Sequence, residues 1–230
     1  MQALILAGGR GTRLAPFTTS FPKPLVPVGD RPILHHLIDS LRDAGFKEIL
    51  LSVNYLASLI EAYFGDGSGF GVSIRYTREV EPLGTAGPIA VPVDLQETFL
   101  VLNGDTLSDI DYMRLYSDHA ESGEIATIVS YRRDVPINLG ILISDDRGHL
   151  KEYQEKPTLS YEASTGVYAM SRRVRDYIAN GERLDMPDLM LRLLAKGCAP
   201  RIYRHEGHWL DIGRVEDYEI AQKQWHDAHP

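Results

Sequence analysis

One cysteine, Cys198, is all the thiol that the 230 residues carry. That excludes an internal disulfide and suits a reducing, cytoplasmic setting. With no metal-ligand or nucleophile pattern around it, Cys198 reads as structural. Positive charge is also scarce: 24 Lys and Arg stand against 32 Asp and Glu, for a formal net charge of −8. Such a balance argues against nucleic acid or an anionic membrane as the main partner. Any phosphate must then be met by a local cluster of cations and backbone N–H groups. No apolar run approaches the ~20 residues of a membrane span. The N-terminal run Ala3–Ala7 is too short for a secretory leader and passes straight into glycines. Internal repeats, low-complexity tracts and linkers are missing as well. What remains is an ordinary globular composition, 43% hydrophobic and 24% charged, in a chain long enough to bury a substantial core. The expectation is a soluble cytoplasmic protein with one domain over residues 1–230.

Two familiar phosphate motifs are absent too. Gly8-Gly9-Arg10-Gly11-Thr12-Arg13-Leu14 has Leu14 where a dinucleotide fingerprint needs its third glycine, and the chain continues to Pro16 rather than into a helix. No Gly-Lys-Ser/Thr ending marks a Walker loop. What is present still points to polyphosphate. The apolar run before the glycines predicts a strand buried on both faces. Three glycines in four positions let the chain turn tightly and bare its N–H groups as an anion-binding concavity, with Arg13 as a forked cation at its edge. In Phe21-Pro22-Lys23-Pro24-Leu25-Val26-Pro27, one lysine is held between two prolines.

Periodicity sets the rest. A helix with the stripe Ile33, Leu34, Leu37, Ile38, Leu41 is capped by Asp30 and ended by Gly45. Strands at 48–53, 72–76 and 99–102 alternate with a helix at 56–64 and a glycine loop at 81–87, the pattern of βαβ units and a parallel sheet. From about Ile125, strands at 125–131, 139–143, 150–154 and 166–170 are joined by short polar turns and predict antiparallel or mixed sheet. Helices at 185–196 and 214–226 close the chain. The fold class is α/β, a mixed, mostly parallel central sheet flanked by helices, with a nucleotide-binding half (1–124) and a second half (125–230). Asp105 follows a buried strand, at the sheet edge where open α/β folds bind ligands. Asp109 and Asp111 are expected to be structural, as are His205 and His208, which lack partners at zinc spacing.

Gly8, Gly9, Gly11, Thr12, Arg13, Leu14, Pro16, Thr18 and Pro22 to Pro27 match, position by position, the GGxGTRLxPxT…PKPLxP signature. On these residues the chain resembles the sugar-1-phosphate nucleotidylyltransferases, over roughly Met1 to Gln224. The resemblance implies a Rossmann-like (GT-A-like) fold, here without the left-handed β-helix domain of many relatives. It implies nucleotide contacts from Leu6, Ala7, Gly8, Gly9, Gly11, Thr12, Asn103 and Gly104. Arg13 would hold the β- and γ-phosphates and Lys23 the α-phosphate as the catalytic cations. Glu81-Pro82-Leu83-Gly84-Thr85-Ala86-Gly87 resembles the EPLGTAGP segment of mannose-1-phosphate guanylyltransferases. That places Glu81, Pro82, Gly84 and Thr85 at the nucleoside, with Glu81 accepting from the donor edge of guanine. Glu155-Lys156-Pro157, with Gly140 and Thr165, resembles the sugar-phosphate site. Leu139 stands where relatives more often have Tyr or Phe. Asp105 and Asp211, the latter in a WxDIG-like segment, would bind Mg²⁺.

The implied reaction is nucleotidyl transfer from an NTP, by this resemblance GTP, to mannose 1-phosphate or a manno-heptose 1-phosphate. Uridylyl or thymidylyl transfer to glucose 1-phosphate is the alternative. An NAD-dependent oxidoreductase and a non-catalytic nucleotide-sugar-binding subunit are the rivals from other classes. The implied partners are the NTP and the sugar 1-phosphate, with a homo-oligomer open and neither nucleic acid nor membrane.

Overall fold

The computed structural model describes residues 1–79 and 81–228. In chain order its elements are β1 (Gln2–Leu6), a short ribbon of β2 (Pro27–Val28) and β3 (Arg31–Pro32), α1 (Ile33–Asp43), β4 (Glu48–Val53), α2 (Ala57–Phe64), β5 (Ser73–Arg78), β6 (Thr98–Asn103), β7 (Thr106–Ser108), α3 (Tyr112–Ser122), β8 (Ala126–Pro136), β9 (Ile141–Ser144), β10 (Leu150–Gln154), β11 (Thr158–Ser171), α4 (Met186–Ala195), β12 (Arg201–His205), β13 (Trp209–Asp211) and α5 (Val215–Ala228). Seven strands form the central sheet in the order β12-β8-β11-β6-β1-β4-β5. β6, β1, β4 and β5 are mutually parallel. β11 alone runs against its neighbours, because β8 pairs antiparallel with β11 and parallel with β12.

The continuous apolar character of β1 follows from its place in the middle. Ala3 and Ile5 pack into the core under α1, α2 and α3, while Leu4 packs into the opposite core under α4, and all three are fully buried. A strand covered on both faces has no polar alternation to show. A third cluster, Leu14, Val26, Val28, Ile33, Ile212 and Ala221, fastens α5 onto the loops after β1. Gly29 in that loop has φ +63, and a Cβ there would run into the Trp225 indole. α5 thus packs through Val215, Tyr218, Ala221 and Trp225 against these loops.

Two expectations need correction. Asp30 does not cap α1: Val28 and Arg31 pair across the turn, so Asp30 sits at its tip and accepts from Arg31 Nε at 3.0 Å. Pro32 takes the N-cap position. β8 and β11 are much longer than the sequence suggests. Beyond the sheet they continue as a two-stranded arm, with Thr158–Glu162 paired to Arg132–Pro136. Its residues are mostly exposed, so there is no burial pattern from which its extent could be read.

Candidate active site

Each of the four parallel strands ends at one cavity of about 510 Å³. After β1 come Ala7, Gly8, Gly9 and Arg10; after β4, Asn54 and Tyr55; after β5, Glu79; after β6, Gly104 and Asp105. Leu6, Lys23, Pro24, Asn103, Pro82, Gly84, Thr85 and Pro88 complete the wall. The chain passes from β1 to one side (β4, β5) and then to the other (β6), so the cavity lies at the strand-order switch point, where open α/β sheets bind ligands. Gly104 is needed there, since a Cβ would stand 3.0 Å from the Leu6 carbonyl. Gly11 and Thr12 lie off this wall. Gly11, with φ +60, instead lets Lys23 approach, because a Cβ would meet the Lys23 Cβ at 2.9 Å.

Lys23 is 8% exposed, and its ammonium donates to Asp105 Oδ2 at 2.5 Å. The other oxygen, Oδ1, is buried with no hydrogen-bond partner. Asp211 comes to the same place by a route the sequence does not show. β13 pairs with β7 in a separate two-stranded sheet, setting Asp211 opposite Thr106. The Ile212 N–H then donates to the Asp105 carbonyl at 3.1 Å. The two carboxylates therefore converge, though their strands do not share the central sheet. Burial first, and then the charge of Asp105, holds the Asp211 carboxyl above the usual carboxylate range, against the pull of Lys23 and Arg13. A buried carboxylate oxygen without a donor, beside a second acid that ionises reluctantly, is an arrangement a hard cation relieves. Arg13 is exposed and turned to this corner: a Cβ on Gly213 would lie 3.3 Å from the Asp211 carboxylate and 3.7 Å from the Arg13 guanidinium.

The loop from Pro82 to Gly87 is sewn to the segment before α4. Leu83 O accepts from Leu184 N–H at 2.9 Å, and Leu184 O accepts from the N–H groups of Ala86 (2.9 Å) and Gly87 (3.1 Å). Thr85 Oγ1 accepts from Met186 N–H at 2.7 Å, capping α4 from another part of the chain. Asp185, the residue in the N-cap position, instead accepts from Thr85 N–H at 3.0 Å. Gly84 lines the cavity, but its need is packing as much as ligand approach: its φ is +77, and a Cβ there would stand 2.5 Å from the Leu184 carbonyl oxygen. Glu81 is exposed and off the cavity wall. Glu79 is on it, turned inward by Ser52 Oγ (2.9 Å) and the Leu83 N–H (2.7 Å), both of which donate to its carboxylate.

Gly140, Glu155 and Lys156 lie in the turns that join the end of the arm to the β9–β10 hairpin and do not line the cavity. Tyr153 Oη donates to Glu155 Oε2 at 3.0 Å, and Lys156 Nζ lies 3.8 Å from Glu155 Oε1. Lys156 has φ 44, a left-handed backbone that a non-glycine residue before proline adopts only at a cost of about 1 kcal/mol or more. Thr165 is buried. Its hydroxyl donates to the Val129 carbonyl at 2.9 Å, so that group is already engaged. The neighbours Asp109 and Asp111 are both engaged by backbone N–H groups. Asp111 caps α3 by accepting from Arg114 N–H at 2.9 Å, and Asp109 accepts from His208 N–H at 2.6 Å. His205 Nε2 lies 3.0 Å from Asp109 Oδ1.

Asn54, Tyr55, Glu79 and Arg10 are wall residues that sequence reasoning passed over. The available signal was positional, since each follows directly on a parallel strand or lies in the turn after one. Ending the third strand at Tyr76 instead of Arg78 hid Glu79.

Comparison with known proteins agrees with this geometry. The nucleotidyl transferase family model matches residues 2–228. A UTP–glucose-1-phosphate uridylyltransferase from Synechocystis is 38% identical over 95% of this chain and 61% of its own length. A mannose-1-phosphate guanylyltransferase from Mycobacterium tuberculosis is 36% identical over 95% of this chain and 62% of its own. The chain thus spans about three fifths of the length of these curated relatives. The crystal structure of HddC from Yersinia pseudotuberculosis, complexed with GMP-PN, superposes with a TM-score of 0.74 at 28% identity, covering 97% of this chain and 99% of that one. With the glycine loop, the switch-point cavity and the paired carboxylates in place, the match across nearly the whole sequence shows that the chain belongs to the nucleotidyl transferase family.

Proposed function

We propose that the chain transfers a nucleotidyl group from an NTP to a sugar 1-phosphate, releasing pyrophosphate. The observation that carries this reading is the meeting of Lys23, Asp105 and Asp211 at a cavity walled by the glycine loop. A phosphate monoester is already largely ionised near neutral pH, with a second pKa of about 6, so no protein nucleophile is needed. An oxygen of the sugar phosphate attacks the α-phosphorus, the bond from that phosphorus to the bridging oxygen breaks, and its electron pair leaves on pyrophosphate. The barrier is repulsion between anions, which positioning and charge neutralisation lower.

In this reading Lys23 serves the α-phosphate, fixed by the packing of Gly11 and by Asp105. Arg13 meets the outer phosphates, and Lys156 and Glu155 bring the sugar phosphate from the end of the arm. Asp105 and Asp211 would hold Mg²⁺. The ion would supply positive charge that offsets the repulsion between the anions, and the orphan oxygen of Asp105 fits it.

For the base we propose guanine. The EPLGTAGP-like segment supports this, and in this reading the inward carboxylate of Glu79, rather than the exposed Glu81, accepts from its donor edge. An ionised carboxylate keeps lone pairs beyond the two bonds already made. Mannose 1-phosphate or a manno-heptose 1-phosphate is the proposed acceptor. The similarity to a uridylyltransferase favours UTP and glucose 1-phosphate as the second reading. A pyrophosphate-release assay over a panel of NTPs and sugar 1-phosphates tests both levels. No release from any pair sinks nucleotidyl transfer, and faster turnover of UTP or dTTP than of GTP sinks the base assignment alone.

A further inference from the structure

Arg10 is the one residue of the Gly8-Gly9-Arg10-Gly11 turn that carries a side chain. Its guanidinium lies over the Tyr55 ring, 5.8 Å from the centroid. Tyr55 is itself anchored on both sides of the turn. Its hydroxyl donates to the Thr19 carbonyl at 3.2 Å, and its N–H to the Gly8 carbonyl at 3.5 Å. Beside the main cavity lies a smaller one of about 250 Å³, walled by Thr12, Ala15, Thr18 and Thr19 together with Arg10 and Tyr55. Arg10 and Tyr55 are the two residues that line both cavities, so they stand at the junction.

Charge separates Arg10 from the other cations of the loop. Lys23 is paired with Asp105, and Arg13 faces Asp211 across Gly213. Among the described residues Arg10 makes no ion pair, and its neighbour is an aromatic face. Stacking on that face holds a guanidinium in one orientation without consuming its N–H donors. A planar fork with free donors suits two adjacent phosphates, which a single ammonium serves less well.

We propose that Arg10, seated on Tyr55, shares with Arg13 the two terminal phosphates of the NTP, holding them from the junction of the two cavities and meeting the charge that pyrophosphate gains as it leaves. Tyr55 is the positioning residue. This deepens the nucleotidyl-transfer reading and rests on it, but the site is an anion site that can be measured without turnover. Calorimetric titration with inorganic pyrophosphate, orthophosphate and GMP is compared for the wild type, Arg10→Gln, Arg10→Lys, Tyr55→Phe, Tyr55→Leu and the double variant Arg10→Gln/Tyr55→Leu. Arg10→Gln should weaken pyrophosphate about 10–100-fold, the scale of lost charge-assisted hydrogen bonds, while GMP and orthophosphate change less than about twofold. Arg10→Lys should recover part of the loss. Tyr55→Phe keeps the ring and should stay close to wild type, whereas Tyr55→Leu should lose several-fold. The double variant should be no weaker than Arg10→Gln alone, because a seat matters only to what sits on it. Unchanged pyrophosphate binding in Arg10→Gln, an equal loss for GMP, or independent effects of the two substitutions would overturn the proposal. Pyrophosphate binding that follows Arg10 supports the site whether or not a substrate pair turns over, so its failure is read apart from that of the reaction.

Discussion

Replacing Asp211 by Asn separates what this carboxylate costs the fold from what it does. The amide has the same shape, so the pairing of residue 211 with Thr106 and the bond from Gly213 N–H to its carbonyl (2.9 Å) should survive. What disappears is a negative charge opposed by burial and by Asp105. The folded protein holds the Asp211 proton more tightly than the unfolded chain does. The charge therefore costs nothing at low pH, and stability falls as pH rises from about 3.8 through the raised folded pKa. At pH 7, without divalent metal, Asp211→Asn should be the more stable protein. Its stability should also lack that acid-side slope, which amounts to about 1.4 kcal/mol for each tenfold difference in proton affinity between the folded and unfolded states.

Magnesium should reverse the order. At ten times its Kd, a ligand of the native state adds about 1.4 kcal/mol. For a chain of 230 residues each kcal/mol moves Tm by roughly 2–4 °C, so the parent should gain about 3–6 °C over an EDTA control. The variant should gain under about 1 °C and lose at least ~100-fold in kcat. Scanning calorimetry at pH 4.5 and 7, with EDTA or Mg²⁺, reads the stabilities, and a pyrophosphate-release assay reads kcat. A variant less stable than the parent in EDTA at pH 7, with an equal response to Mg²⁺, would refute the two-carboxylate site.

Asp185→Ala removes the acceptor of Thr85 N–H. It should free the Pro82–Gly87 loop at a cost of about 1–2 kcal/mol; if that loop holds the nucleoside, as proposed, KM for the NTP should rise about 5–30-fold while KM for the sugar phosphate stays within twofold. Lys23→Ala should mainly lower kcat, and because it leaves Asp105 uncompensated it should also cost about 2–3 kcal/mol in urea unfolding. Lys156→Ala, at the exposed end of the arm, should raise KM for the sugar phosphate with little change in stability; the same kinetic pattern in both lysine variants would show that they do not serve separate phosphates. His119 is buried against Thr127 Oγ1 at 2.8 Å, and burial, reinforced by Arg173 and Arg201, pulls its pKa down to about 4. The folded state resists a proton that the unfolded chain accepts near 6.5, so stability should be intact above pH 6.5 and fall by up to about 3 kcal/mol toward pH 4. That decline should be blunted in His119→Gln when unfolding midpoints are compared between pH 5 and 7.

Several features follow from the local order of residues alone. The glycine turn after β1 and the proline-flanked Lys23 depend on backbone chemistry that neighbouring residues impose. The stripe of α1 and the two-sided burial of β1 are visible because a buried face leaves a period. Asp105 could be placed because it directly follows a buried strand at the binding edge of a parallel sheet.

Contacts between distant segments decided the rest. Asp211 reaches Asp105 through β13 and β7, a pairing of residues about a hundred apart that no local pattern encodes. Glu79 displaces Glu81 at the cavity because Ser52 and the Leu83 N–H turn it inward. Thr85 caps α4 while Asp185 holds Thr85, so the helix begins with a cap that its own sequence does not contain. The arm of β8 and β11 is exposed on both sides and carries no alternation to read. Sequence periodicity records which face of an element is covered, whereas the side chains that meet across a cavity are chosen by register and strand order, which only the folded chain sets.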